Sequence, residues 1–134
     1  MKKQAGIWLD KEKAVVITLN DHGYNLKIIE SEIETRERYD GEKKKFGRFG
    51  NQFLNAETKK KRRVEEQTNK YLKRIYNNVK HVNEIVLFGP ASLKRKLAKL
   101  IKSDSQMSEK LKAVKTADIM TQNQMVAWVK KFYK

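Results

Sequence analysis

The sequence predicts an α/β fold, with a mixed five-stranded sheet and helices packed on it, in the element order β-β-β-α-β-α-β-α. Three observations support this prediction. The first quarter of the chain consists of short β-branched runs separated by turn residues. The middle contains one long apolar stripe of helical period, and the last third alternates an apolar strand with helical patterns. Three antiparallel strands followed by alternating elements favour a mixed sheet covered by helices.

The first two predicted strands form a hairpin. Residues 4–9 (QAGIWL) and 13–19 (KAVVITL) are rich in β-branched and aromatic residues, and the polar residues 10–12 (DKE) form a turn between them. Residues 20–23 (NDHG) are a second turn signal, because Asn, Asp and Gly accept positive φ. The stretch YNLKIIESEIET after this turn predicts a third, edge strand. The three strands make an antiparallel meander.

The next twenty residues, 36–55, show neither strand nor helix period and predict a long basic loop. A helix follows, predicted over 56–80, with Asn55 as its N-cap candidate. Its apolar residues recur at helical spacing on one face, and they are Val64, Tyr71, Leu72, Ile75, Tyr76 and Val79.

A continuous apolar run at 84–88 (EIVLF) predicts a strand buried on both faces. Gly89-Pro90 ends this strand, and proline suits the first turn of a helix predicted over 90–102. That helix has leucines on one face and lysines around the other.

The C-terminal part begins with a polar turn at 103–108 and a weak strand around 111–114. Thr121 and Gln124 have the spacing of a capping box, which predicts the start of a last helix. The core side of this helix is expected to carry Met125, Val129 and Phe132, with Trp128 beside them.

The composition excludes several classes of protein. We interpret the 134 residues as one domain, and the absence of cysteine excludes disulfides, thiol catalysis and cysteine-ligated zinc. The two histidines, His22 in a turn and His81 at a helix end, indicate no catalytic or metal-binding role. Neither a signal peptide nor a membrane-spanning stretch is present, so we expect a cytoplasmic protein with no membrane partner.

The formal net charge of +15 is unevenly distributed. Residues 1–35 carry five basic and six acidic side chains, whereas residues 36–80 carry 15 and six, and residues 81–134 carry 11 and four. Such a concentration is typical of a face that binds a polyanion. The alternative is a solvated helix surface without a partner.

The segment from Lys43 to Arg63, KKKFGRFGNQFLNAETKKKRR, is the strongest candidate for such a face. Its cations can contact phosphates, and Phe46, Phe49 and Phe53 can stack on unpaired bases. The residues predicted to bind RNA are Lys43, Lys44, Lys45, Phe46, Arg48, Phe49, Lys59, Lys60, Lys61, Arg62 and Arg63.

The sequence offers candidates for two other kinds of site. Asp10 ends the first strand, where a two-metal nuclease would place an acid, but the fourth strand ends without one, and Glu65 and Glu66 are the only mid-helix candidates. Asp10 is therefore interpreted as a turn former. Residues 89–92 (GPAS) precede a helix and could offer amides to a phosphate, yet proline removes one donor, which favours a simple strand end. We predict no metal and no cofactor.

The loop and three framework stretches resemble a known family. KKKFGRFGNQF, followed by a basic amphipathic helix, resembles the tip of the middle domain of archaeal and eukaryotic-type class-1 peptide-chain release factor. The stretches AGIWLDKEKAVVI, IVLFGPASLKRKLAKLI and TADIMTQNQMVAWVKKF are similar to those of stand-alone bacterial relatives of that domain. The resemblance covers nearly the whole chain. It implies a ribonuclease-H-like sheet of the translational-machinery-component type.

The resemblance also implies a function. In the family, a Gly-Gly-Gln tip enters the ribosomal peptidyl-transferase centre and promotes hydrolysis of peptidyl-tRNA. Gly50 matches the first glycine, Asn51 replaces the second, and Gln52 matches the glutamine, so these three are the catalytic candidates. Arg48 matches the preceding arginine, and Phe49 is an additional residue. Family members read the stop codon with another domain, and at 134 residues we expect this chain to act without a codon-reading domain.

We therefore expect an RNA-binding protein that acts on the ribosome or tRNA, with peptidyl-tRNA hydrolysis as a secondary hypothesis. The alternative is a non-catalytic nucleic-acid or protein-interaction adaptor unrelated to the ribosome.

Overall fold

The computed structural model describes residues 3–34 and 50–134, and the side chains of these residues except those of 50–55. Strands β1 (Gln4–Leu9), β2 (Lys13–Asn20) and β3 (Gly23–Glu30) pair in antiparallel fashion, which confirms the predicted meander. β3 ends earlier than the sequence suggested. Glu32 has a φ of 57°, a left-handed conformation that does not continue a strand.

The sheet has five strands in the order β3-β2-β1-β4-β5. Strand β4 (Glu84–Gly89) runs parallel to β1, and β5 (Leu111–Thr116) runs parallel to β4. The predicted mixed sheet, with β3 as an edge strand, is therefore confirmed. Residues 85–89 of β4 are all buried, as expected for a strand covered on both faces.

Within the described residues, four helices connect and cover the strands: α1 (Gly50–Asn78), α2 (Leu93–Lys102), α3 (Ser105–Ser108) and α4 (Gln122–Phe132). The prediction that α1 begins at residue 56 is wrong, because the helix begins six residues earlier, and Asn55 lies inside it rather than at its N-cap. Glycine and asparagine are well accepted at helix starts, so Gly50 and Asn51 do not interrupt the helix there.

The remaining helix boundaries differ less from the predictions. α2 begins at Leu93 rather than at residue 90, because Pro90 lies in the bend before the helix. The predicted polar turn at 103–108 contains the short helix α3, whose N-cap Asp104 accepts a hydrogen bond from the backbone N–H of Gln106 at 2.9 Å.

Two apolar layers lie on opposite faces of the sheet. On one face, α1 and α2 contribute buried residues that include Tyr71, Ile75, Val79, Leu93, Leu97 and Ile101. On the other face, α4 packs on the sheet through Met125, Val126 and Val129. The Trp128 ring stacks on Phe88 with centroids 4.0 Å apart. Of the predicted core side of α4, Met125 and Val129 are buried, Phe132 is half-buried, and Val126 was not anticipated.

The start of α4 is fixed by the predicted capping box. The Gln124 N–H donates to Thr121 Oγ1 at 3.2 Å, and the Thr121 N–H donates to Gln124 Oε1 at 2.8 Å. Two N–H groups that lack intrahelical partners are thereby satisfied.

Candidate nucleic-acid interface

Helix α1 extends beyond the core that it helps to build. Among its described side chains the first buried one is Thr68, and none of those at 56–67 is buried. We call residues 50–63 the α1 arm. At 1.5 Å per residue, these fourteen helical residues extend about 20 Å from the part of α1 that packs on the sheet. The arm is therefore a helical projection and not a loop.

The α1 arm carries the run of five consecutive cations, Lys59–Arg63. Four of them are exposed and Lys60 is half-buried. Successive helical residues are about 100° apart, so five in a row place positive charge on every side of the helix. Charges of one sign at this density repel each other unless a bound anion neutralises them.

The base of the arm is tied to the chain that follows β3. Arg74 pairs with Glu32 at 3.2 Å and donates to the carbonyl oxygens of Glu30 and Ser31 at 2.8 and 3.0 Å. Further along α1, the Glu34 N–H donates to Gln67 Oε1 at 2.9 Å, and Arg63 Nε lies 3.3 Å from Glu34 Oε1. Residues 30–34 thus run along α1 towards its N-terminus. Glu34 lies beside the arm's base.

The predicted site residues have different outcomes. Lys43, Lys44, Lys45, Phe46, Arg48 and Phe49 lie outside the described residues. Gly50, Asn51 and Gln52, predicted in a loop, belong instead to the first turn of α1. The backbone N–H groups of a first helical turn lack intrahelical acceptors, and this end of a helix has a partial positive charge.

A groove between α1 and α2 begins where the arm ends. It has a volume of about 650 Å³, and it is lined by Val64, Glu65, Thr68, Asn69, Leu72, Lys73, Lys96, Lys99, Leu100 and Ser103. Leucines form part of its surface, and lysines of both helices border it. Sequence reasoning missed this feature. The lysines of each helix are evident from the sequence. That the lysines of α1 lie close to those of α2 depends on how the two helices pack.

One end of the groove is held by a contact between α1 and the N-cap of α3. The Tyr76 hydroxyl donates to Asp104 Oδ2 at 2.7 Å. This bond, followed by that from the Gln106 N–H, lowers the pKa of Asp104, and the same bond raises the pKa of Tyr76. Asp104 adjoins Ser103 of the groove, so the contact fixes this end relative to α1.

Asp10 closes the β1–β2 turn, as predicted. Its Oδ1 accepts from the backbone N–H groups of Glu12 and Lys13 at 2.8 and 2.9 Å. Its carbonyl oxygen accepts from the Tyr71 hydroxyl at 3.0 Å, and burial followed by the Asp10 charge raises the pKa of Tyr71. Across the described ranges, no group of three or more His, Cys, Asp or Glu side chains could hold a metal ion.

The turn role of Asp10 can be tested by two substitutions. Asp10→Ala removes both side-chain hydrogen bonds and should lower the free energy of unfolding by about 1–2 kcal/mol. Asp10→Asn keeps an acceptor oxygen and should stay within about 0.5 kcal/mol of wild type. Urea unfolding followed by circular dichroism measures both. Equal losses would mean that the charge, and not the turn geometry, is what the position requires.

The other positions considered from sequence lie in turns and at the ends of elements. His22 lies in the β2–β3 turn and His81 in the turn after α1, and both are exposed. After Gly89-Pro90, the Lys94 ammonium donates to the Ala91 carbonyl oxygen at 2.9 Å although its side chain is only 4% exposed. Ser92 makes no side-chain capping bond. This turn therefore serves as the end of β4 and the start of α2.

No helix within 3–34 or 50–134 is long and apolar enough to cross a membrane. No family model and no curated protein matches the sequence.

Solved structures share the fold. The chain is similar to Pelota from Archaeoglobus fulgidus, with a TM-score of 0.57 at 9% identity, over 96% of this chain and 31% of that one. An archaeal translation termination factor, aRF1, matches with a TM-score of 0.51 at 13% identity, over 98% of this chain and 40% of that one. A third match, described as an archaeal protein, has a TM-score of 0.51 at 16% identity, over 98% and 34%. The chain thus spans between about a third and two fifths of these proteins, and it has the fold of one part of a translation termination factor.

Proposed function

We propose that this protein binds RNA on the ribosome or on tRNA in a role related to translational release or rescue. The observation that carries this proposal is the α1 arm, a helix extending past its own core with five consecutive cations. A projecting helix that is positive on all sides suits a cavity walled by phosphates, because it can meet anions in every direction.

Two further observations support the ribosomal setting. The fold is similar to those of Pelota and of an archaeal translation termination factor. The arm also begins at Gly50-Asn51-Gln52, the stretch that resembles the Gly-Gly-Gln tip of release factors, and the basic residues 43–45 precede it. In this proposal the lysines at 43–45 would contact phosphates, and Phe46 and Phe49 would stack on unpaired bases.

The test is co-sedimentation with ribosomes in sucrose gradients at two salt concentrations. The variant K59E/K61E/R62E reverses three charges on the arm and should reduce the bound fraction at least tenfold. The control K115E/K130E/K131E makes the same charge change in β5 and α4 and should retain binding. A further variant with Lys43, Lys44 and Lys45 reversed should behave like the arm variant. Equal binding by the arm variant and the control would contradict the proposal.

Peptidyl-tRNA hydrolysis is the secondary proposal for the same site. Gln52 would help to place the attacking water, and backbone N–H groups of the first turn would face the leaving oxygen. If the protein is an esterase, it should release peptide from stalled ribosomal complexes. The substitution Gln52→Ala should then abolish this release while ribosome binding persists. Binding without release by the wild-type protein would instead identify a non-catalytic factor.

The alternative function is that of an adaptor unrelated to the ribosome. The strongly basic surface supports it, since a +15 charge favours any polyanion. Such an adaptor would bind RNA or DNA duplexes in a salt-dependent manner and would fail to co-sediment with ribosomes at either salt concentration.

A further inference from the structure

The groove between α1 and α2 contains a cluster of like charges. Lys73 of α1 and Lys96 and Lys99 of α2 all border it, and all three are exposed. The ion pairs among the described residues join Arg63 to Glu34, Arg74 to Glu32 and Lys112 to Glu84, so none of the three groove lysines lies within 4 Å of a described acid. None of the three lysines forms an ion pair with a described acid, so their charges repel each other within the fold.

The two walls of the groove follow from the helical period. Lys96, Lys99, Leu100 and Ser103 are spaced i, i+3, i+4 and i+7, so they form one stripe along α2. On α1, Glu65, Asn69, Leu72 and Lys73 make the facing stripe. The same α1 stripe continues towards the N-terminus through Lys61 and Arg62, three to four residues before Glu65. The groove is therefore aligned with the basic part of the arm.

The lining also indicates which part of a nucleic acid it would contact. None of the ten described lining residues is aromatic, so this part of the lining offers no surface on which bases would stack. Lysine is a point charge that contacts phosphate without reading sequence. Asn69 adds a neutral amide of the kind that donates to phosphate and sugar oxygens. The hydroxyls of Thr68 and Ser103 donate instead to the carbonyl oxygens of Val64 and Leu100.

We propose that the α1–α2 groove binds the sugar–phosphate backbone of the RNA that the α1 arm engages, through Lys73, Lys96 and Lys99, without reading its sequence. This inference rests on the proposed function, because it assigns the groove to the same RNA. Glu65 is the one acid among the ten lining residues and opposes the bound phosphates. It limits affinity at the point where the arm meets the groove.

The experiment measures binding of a fluorescent, unstructured single-stranded RNA over a range of salt concentrations. Each phosphate contact on a single strand contributes about 0.7 to the slope of log K against log salt. The variant K96Q/K99Q should therefore lower the slope by roughly 1.4. The control K115Q/K131Q removes the same charge from β5 and α4, outside the groove, and should leave the slope near its wild-type value.

Two further measurements test the same proposal. Glu65→Gln should tighten binding about two- to fivefold, the opposite sign to the lysine variants, because it removes a repulsion of a few tenths to one kcal/mol. Poly-glutamate at an equal concentration of charges should compete poorly with the RNA, since the lining would bind phosphate and ribose oxygens together.

The outcomes separate the two proposals. If the wild-type protein binds no RNA and no ribosomes, the proposed function fails. If it binds both, while K96Q/K99Q and K115Q/K131Q change the slope equally, the groove assignment is overturned and the proposed function stands. Displacement of the RNA by poly-glutamate with equal strength would also overturn the assignment and would identify an acidic protein segment as the occupant.

Discussion

Replacing Gly89 by alanine should destabilise the protein by roughly 3–5 kcal/mol, the largest effect expected of any single added methyl group here. Gly89 ends β4 with a φ of +139°, a conformation that residues with a Cβ rarely adopt. A Cβ at this position would lie 2.6 Å from the carbonyl oxygen of Leu9 and 3.2 Å from its nitrogen. These are backbone atoms of the neighbouring strand β1, so the contact cannot be relieved by a side-chain rotation.

Gly23→Ala is the matched control for this prediction. Gly23 has a φ of +144°, almost the same as that of Gly89, but apart from its chain neighbours no described residue has a heavy atom within 4 Å of the position where its Cβ would be. This substitution should cost only the backbone strain, about 1–2 kcal/mol. Chemical denaturation of both variants measures the difference. Similar losses would mean that β1 moves freely away from β4, contrary to the tight pairing seen between the two strands.

Gly6→Ala should cost about 1–3 kcal/mol, and its cost should depend on Val129. A Cβ at Gly6 would lie 2.3 Å from Val129 Cγ2 and 3.0 Å from Cγ1, and the Val129 side chain is fully buried. A buried valine has little rotamer freedom, so α4 must shift away from the sheet. Glycine at position 6 therefore lets α4 approach β1 closely.

A double-mutant cycle tests this contact. Val129→Ala removes both Cγ atoms, so the double variant G6A/V129A should lose about 1–2 kcal/mol less than the sum of the single losses. Val126→Ala is the control on the same helix, and its loss should add to that of Gly6→Ala. Because α4 lies on the face opposite α1, Gly6→Ala should leave RNA binding of the folded protein unchanged. Additive losses in both cycles would show that Val129 is not the group that Gly6 accommodates.

Local signals in the sequence predicted the sheet well. Asp10 and Gly23 marked the two turns of the meander, and the unbroken apolar run of β4 marked a strand covered on both sides. The Thr121–Gln124 spacing likewise located the start of α4. In each case the deciding interactions lie within a few residues of one another, so pattern reasoning was sufficient.

The start of α1 and the groove were beyond such reasoning for different reasons. Gly50, Asn51 and Asn55 have low intrinsic helix propensity, and the apolar stripe begins only at Val64, so nothing local predicted a helix through this stretch. The groove depends on α1 and α2 lying side by side, with Lys73 and Lys99 26 positions apart in the chain. Such a juxtaposition is determined by the packing of the whole layer on the sheet.

The continuity of α1 from the sheet to Gly50 also constrains how this protein can vary in length. Inserting or deleting one residue between Ala56 and Arg63 would rotate the helix start by about 100° about the axis and displace it by about 1.5 Å. A loop would absorb such a change, but a helix transmits it in full. The number of residues between the sheet and Gly50-Asn51-Gln52 therefore sets the direction in which these three residues face around the helix axis. The same number sets their distance from the sheet, which can change only by whole helical residues.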